Sequence, residues 1–191
     1  MGAPLVSLED YKTYKKITKT DSDVELQYII DSVNSLVKTF VGHSIIDYYS
    51  TPAVEVFTVK QGQSALQLNE WPIVQVVSVE TRDSYDKEYV IMDSVEYHVD
   101  KDVDCIYVHG KSAYWPEGYG STKVTYRAGY QTVPLDLRLA CLDLVHHYYK
   151  EEYKDRKQIG NASIDNTNRA QALASEWPIH IIRVLDMYRN V

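Results

Sequence analysis

The chain has 191 residues, 45% of them apolar and 25% charged. That is enough apolar matter for one good core or two small ones sharing an interface, and too much for a disordered chain. A formal net charge of −7, with only the short basic pairs Lys15–Lys16 and Arg156–Lys157, argues against tight nucleic-acid binding, though not against a surface past which DNA slides.

Met1-Gly2-Ala3-Pro4 opens a polar segment without an apolar h-region, so no secretory signal is expected. No stretch approaches the roughly eighteen apolar residues of a membrane span. Ser7 to Ile17 begins with Ser-Leu-Glu-Asp, a capping pattern, and Leu8, Tyr11, Tyr14 and Ile17 give a short helix a partly apolar face. Ser22 and Glu25 are spaced as a second capping box. Beyond them Leu26, Ile29, Ile30, Val33, Leu36, Val37 and Phe40 follow the helical template up to Gly42, which sits where a C-cap glycine belongs.

After Tyr48-Tyr49 the period changes to two. Val54 to Val59, a turn at Gly62, Ala65 to Leu68, Ile73 to Arg82, Tyr89 to Met92, Tyr97 to Val99, Cys105 to Val108 and Thr122 to Ala128 read as short strands. Their spacing suits a sandwich or small barrel, and no β-α-β alternation appears. A helix from Leu135 to Tyr153 follows, then a polar stretch from Asp155 to Ser175. Trp177-Pro178 opens a last helix whose apolar stripe is Ile181, Ile182, Leu185 and Tyr188.

The expected class is therefore α+β: N- and C-terminal helices form a small bundle around an inserted antiparallel β sandwich or barrel-like module. The expected segments are 1–48 (N-terminal helices), 49–131 (β module), 132–154 (long central helix), 155–176 (polar loop or tail) and 177–191 (C-terminal helix).

The helix from Leu135 is greasy on nearly every side. At about 100° per residue, one arc collects Leu135, Leu139, Leu142, Val145, Tyr149 and Tyr153, with His146 among them. A second collects Leu137, Ala140, Cys141, Leu144 and Tyr148, leaving Asp136, Asp143, His147 and Lys150 as a polar strip. A helix apolar over more than half its circumference needs cover from more than one direction. The first arc is expected to face the core. Either the chain's own helices or another copy can cover the second. On the assembly reading Leu137, Cys141, Leu144, Tyr148, Trp177, Ile181, Leu185 and Tyr188 form a subunit or portal interface.

Chemical templates are weak. His146 and His147 are neighbours and point about 100° apart, so they do not chelate one ion easily. Asp143 and His147 have i, i+4 spacing but no third ligand, and His43, His98, His109 and His180 are scattered. Gly118-Tyr119-Gly120 lacks the lysine and hydroxyl of a phosphate loop, and no Gly-x-Ser-x-Gly elbow occurs. No catalytic residue, cofactor or metal site is expected. Cys105 and Cys141, in apolar surroundings, read as buried free thiols. The 17 tyrosines against 2 phenylalanines suit either interfaces or exposed strand faces.

The N-terminal helices, the β insertion carrying "LQLNEWPIVQVVSVE", the run "VTYRAGYQTVPLDLRLACLDLVHHYYKE" and the closing "WPIHIIRVLDMYR" together resemble the head–tail connector, or adaptor, proteins of long-tailed bacteriophages. Tyr126-Arg127-Ala128-Gly129-Tyr130, followed by Val133-Pro134 and Asp136-Leu137-Arg138, carries most of the likeness. The resemblance implies a structural protein without cofactor or catalysis, assembled in the host cytoplasm and resident in the virion. It implies a homo-oligomeric ring, twelve-fold by analogy, that docks beneath the portal. Such a ring extends the DNA channel without sequence-specific contacts and receives a stopper or tail completion protein.

Two readings from other classes compete. One is a tyrosine-rich β module binding carbohydrate or peptide through Tyr85, Tyr89, Tyr97, Tyr107, Tyr114, Trp115 and Tyr119. The other is a metal-dependent hydrolase using Asp143 and His147.

Overall fold

The structure, a computed structural model, describes residues 2–109, 113–150 and 177–189. The chain divides into two compact units. A helical unit comprises Pro4–Gly42 and Val133–Val191, and a β unit comprises Met1–Ala3 and His43–Thr132. The α+β class is observed, with the β unit inserted between the halves of the helical one.

In the helical unit, α1 (Leu8–Lys15) starts with a complete capping box: Asp10 N–H donates to Ser7 Oγ at 3.2 Å and Ser7 N–H donates to Asp10 Oδ2 at 2.9 Å. Helix α2 (Asp23–Val41) ends as the spacing predicts. Gly42 takes φ 89°, which glycine adopts freely, and donates to Lys38 O at 2.9 Å. The box expected at its start does not form. Ser22 has ψ 11° rather than the extended backbone that aims a cap side chain at the first turn, and its side chain makes no capping bond. Leu26, Ile30, Val33, Val37 and Val41 are buried, together with Asn34. Leu36, expected on the apolar face, is exposed.

Helix α3 spans Leu135–Tyr149; its expected continuation to Tyr153 and the Asp155 to Ser175 stretch lie outside the described residues. Helix α4 spans Ile179–Met187, with Pro178 as its N-cap rather than inside the first turn, and buries Ile181 and Leu185. Trp177 closes against α2 and α3: its ring centroid lies 5.4 Å from that of Phe40, and its Nε1–H donates to Tyr148 OH at 2.7 Å.

The β unit holds β1 (Ala53–Val59), β2 (Ala65–Gln67), β3 (Ile73–Thr81), β4 (Val90–Ile91), β5 (Tyr97–Asp100), β6 (Cys105–Val108) and β7 (Gly118–Ala128). They form two antiparallel sheets, ordered β1-β7-β3-β4 and β2-β6-β5. One core joins them: Ala53, Val79, Val124 and Tyr126 from the first sheet meet Leu66 and Ile106 from the second, with Leu68 and Trp115 from the loops. Strand β7 starts four residues earlier than expected. A register irregularity between Phe57 and Val59 lets pairing continue as far as Gly118. Both cysteines are free and buried, and burial pushes the Cys141 thiol up to about 12.

Candidate assembly surfaces

The surface of the helical unit follows from how α3 is turned about its axis. Three polar contacts from α1 set that rotation: Arg138 with Asp10, Tyr14 OH donating to Asp143 Oδ1 at 2.9 Å, and a 2.9 Å hydrogen bond between Tyr11 OH and His146 Nδ1. Burial pushes the Tyr11 phenol up to about 12, with Tyr149 adding to it, so the hydroxyl stays protonated near neutrality. The Asp143 hydrogen bond likewise holds the Tyr14 phenol above its ordinary value.

With α1 packed against α3, the two greasy arcs divide differently from the expectation. Leu137, Cys141 and Leu144, expected at an interface, are buried in the unit's own core, as are Ile181 and Leu185 from α4. Tyr148, Trp177 and Tyr188, the other three, are half-buried, with Tyr188 OH donating to Asp136 Oδ1 at 2.7 Å. From the arc expected in the core, Leu142 and Val145 are indeed buried, but Leu135 is 80% exposed and Leu139 47%. His147, expected to face water, is buried, with its ring edge-on to Tyr148 at 5.8 Å.

A second apolar surface lies at the end of α3. Tyr28, Ile29, Leu36, Tyr148 and Tyr149, with Glu25 and Ser32, line a groove of about 230 Å³ between α2 and the end of α3, and Tyr28 is 76% exposed. Leu139 and Tyr148 are nine positions apart, about 180° around the helix, whereas Tyr149, which also lines the groove, shares the arc of Leu135 and Leu139.

The outer face of the four-stranded sheet has another texture. Exposed Val56 lies opposite Lys123, which lies opposite Glu80, which lies opposite exposed Ile91. The Lys123–Glu80 ion pair at 2.5 Å thus separates the apolar side chains, and such a chequered face is well solvated. The tyrosine platform considered from the sequence loses Trp115, which is 2% exposed and belongs to the core. Tyr85 and Tyr119 are exposed with ring centroids 5.4 Å apart, and the Arg82 guanidinium lies 4.4 Å from the Tyr85 ring. That guanidinium is already engaged by the backbone oxygens of Gly120 and Tyr85. Among the described residues no three His, Cys, Asp or Glu side chains gather as metal ligands. Asp143 is taken by Tyr14 and His147 is buried, so the pair imagined for hydrolysis does not come together as an open site.

Sequence reasoning missed two buried polar organisers. Asn34 accepts from Leu5 N–H at 2.9 Å and Val6 N–H at 3.1 Å, and donates to Val6 O at 3.0 Å, tying the segment before α1 to α2. A polar residue amid the apolar positions of α2 was the available signal. Tyr126, in period-two alternation with Val124 and Ala128, accepts from Glu70 N–H at 3.0 Å and donates to Glu55 Oε1. Burial and the Glu55 bond raise its phenol far above the ordinary value.

A family profile described as head completion protein matches residues 4–191, taking in both units. The chain belongs to the head completion protein family. A head completion protein of Escherichia phage T5 is 24% identical over 187 residues, covering 98% of this chain and 99% of the relative. Among solved structures, a chain in the neck of an empty gene transfer agent particle computed with C6 symmetry superposes with a TM-score of 0.62 at 13% identity, covering 98% of this chain and 90% of that one. A chain in the neck of the native particle computed with C12 symmetry gives 0.60 at 13% identity, covering 100% and 96%. At such identities the likeness shows a shared fold, here extending over nearly the whole head completion chain.

Proposed function

We propose that this chain is a structural, non-enzymatic virion protein of the head–tail junction. In this reading it assembles in the host cytoplasm as a homo-oligomeric ring, a dodecamer, beneath the portal. The ring extends the DNA channel and offers a docking surface to the stopper or tail completion protein. The observation that carries the reading is the family match over residues 4–191, joined by a T5 head completion protein alignable end to end. The 6- and 12-fold symmetries of the gene transfer agent necks that share the fold are compatible with it.

The surfaces supply a physical reason for a ring. A closed ring needs two different, complementary patches on each subunit, because identical patches give only dimers. The exposed leucines of α3 and the tyrosine groove of α2 are different patches, so the interface is assigned to them. Of the eight residues first expected there, half-buried Tyr148 is retained in the groove, and Trp177 adjoins it through a hydrogen bond to the Tyr148 hydroxyl. A net charge of −7 suits a channel wall that must not hold phosphates through many cationic contacts.

Light scattering tests the reading. The purified protein mixed with its cognate portal is expected to yield a complex whose added mass equals a whole ring of subunits. A protein that stays monomeric and leaves the portal mass unchanged at every concentration contradicts it.

A further inference from the structure

The segment following α2 carries the chain from the helical unit into the β unit, and it contains an unusual residue. Ile45 is buried and has φ 72°. A β-branched side chain in the left-handed region is strained and persists only where its surroundings over-determine it. Those surroundings are specific. Ile45 N–H donates to His43 Nδ1 at 3.2 Å, and Ile45 O accepts from Tyr130 N–H at 2.8 Å. Gly129 passes so close that a Cβ there would stand 2.3 Å from the same oxygen. Next door, Ser44 N–H and Ser44 Oγ–H donate to Glu70 Oε2 at 3.0 and 2.7 Å.

The His43 ring is buried, tilted against Trp71 with ring centroids 4.2 Å apart, and its Nδ1 lies 3.9 Å from Glu70 Oε2. One nitrogen therefore faces two competing partners. As an acceptor it must be unprotonated, which requires the neutral ring with its proton on Nε2. Once protonated, the same atom becomes a donor. It can no longer accept from Ile45, and the Glu70 carboxylate is the acceptor within reach. The charged group nearest that atom is the Glu70 carboxylate, itself set among other carboxylates. Glu70 comes from the β2–β3 loop, Glu55 from β1 and Asp47 from the segment itself, and the β7 residue at the cluster, Tyr126, is uncharged. Burial first, then repulsion from Glu55 and Asp47, lifts the Glu70 carboxyl above its ordinary value despite the Ser44 bonds.

We propose that His43, Ile45 and Glu70 form a proton-operated latch. The neutral ring holds Ile45 in its left-handed conformation. The protonated ring turns its new N–H to Glu70 and frees Ile45 to relax. The proton adds to Nδ1 and nothing else is made or broken but hydrogen bonds. The latch is independent of ring formation and acts within the β unit alone.

Amide hydrogen exchange on the full-length protein between pH 7 and pH 5, corrected for intrinsic rates, tests it. The Ile45 amide is expected to lose at least tenfold protection as the His43 ring titrates, followed by NMR of the ring protons, while amides in β3 and β7 keep theirs. In Glu70→Gln, which keeps an oxygen for Ser44 but no charge, the midpoint is expected to move down by about 1 pH unit or more, since an opposite charge at this range favours the protonated imidazole by that much. Ile45 protection that does not change while His43 titrates overturns the latch. So do a ring that never titrates in this range, loss of protection across the whole unit at once, and a midpoint indifferent to Glu70→Gln.

Discussion

The two units solve the problem of a small core differently. The helical unit fills its centre with aliphatic side chains from α2, α3 and α4 and, among the described residues, admits one buried amide, Asn34, which ties down Leu5 and Val6. The β unit sets a tyrosine in the middle of its largest sheet and runs its hydroxyl into a carboxylate cluster, with Glu55 and Glu70 on either side of Tyr126. Outside, the contrast repeats. On the sheet face the Lys123–Glu80 pair stands between exposed Val56 and Ile91, whereas on the helices Tyr28, Leu36 and their neighbours gather into a groove. Scattered exposed valines need no explanation; gathered ones mark contact surfaces. On the proposed reading self-association belongs to the helical unit, with the β unit as a polar-braced insertion.

The sharpest way to break this contrast is to compare two leucines five positions apart. Leu144→Ala removes a fully buried side chain and should lower stability by about 2–5 kcal/mol. Leu139→Ala at an exposed position should cost no more than about 0.5 kcal/mol. Thermal unfolding of both variants checks the division, and equal losses would erase it. Next in size, Asn34→Ala orphans the Leu5 and Val6 amides and should cost about 1–3 kcal/mol for each amide that water cannot reach, read by urea titration. Tyr126→Phe leaves the single Glu70 N–H unsatisfied and should cost about 1–3 kcal/mol in total. A smaller loss there than at Asn34 would sharpen the comparison, and the reverse order would show the β unit to be the more dependent on its polar brace.

Smallest is the cap of α1. Ser7→Ala should cost about 1 kcal/mol. Burial alone would raise the Asp10 carboxyl, but the Ser7 N–H and hydroxyl and the Arg138 guanidinium outweigh it and hold it below its ordinary value. A carboxyl whose folded value is depressed contributes stability that is fully present above the unfolded value, about 3.9, and is lost as pH falls through the folded one. Asp10→Asn should therefore flatten the acid limb of the stability curve and leave its neutral plateau lower, as pH-dependent denaturation would record.

Much of this architecture was legible in the sequence, because period and punctuation report backbone geometry. Helix α2 showed its 3.6-residue stripe and its closing Gly42, and the strands showed alternation between turns. What stayed hidden was the rotation of α3. Both of its arcs are apolar, so amphipathicity could not choose between them. The choice rests on Asp10, Tyr11 and Tyr14 meeting Arg138, His146 and Asp143 across more than a hundred residues of chain. Tyrosine abundance was ambiguous for a similar reason. Tyr11, Tyr14, Tyr126, Tyr148 and Tyr188 each place a hydroxyl on a distant partner, a use that composition cannot distinguish from surface display. Trp115 misled because an aromatic in a loop can serve either as a platform or as a plug, and here it plugs the core.

Electron microscopy of portal particles incubated with the purified protein puts the ring to its most direct test. Averaged images should show an added coaxial layer with a central opening and rotational symmetry matching the portal. Images in which the portal remains bare, while the protein stays monomeric beside it, would contradict the assignment of this chain to a ring at the head–tail junction.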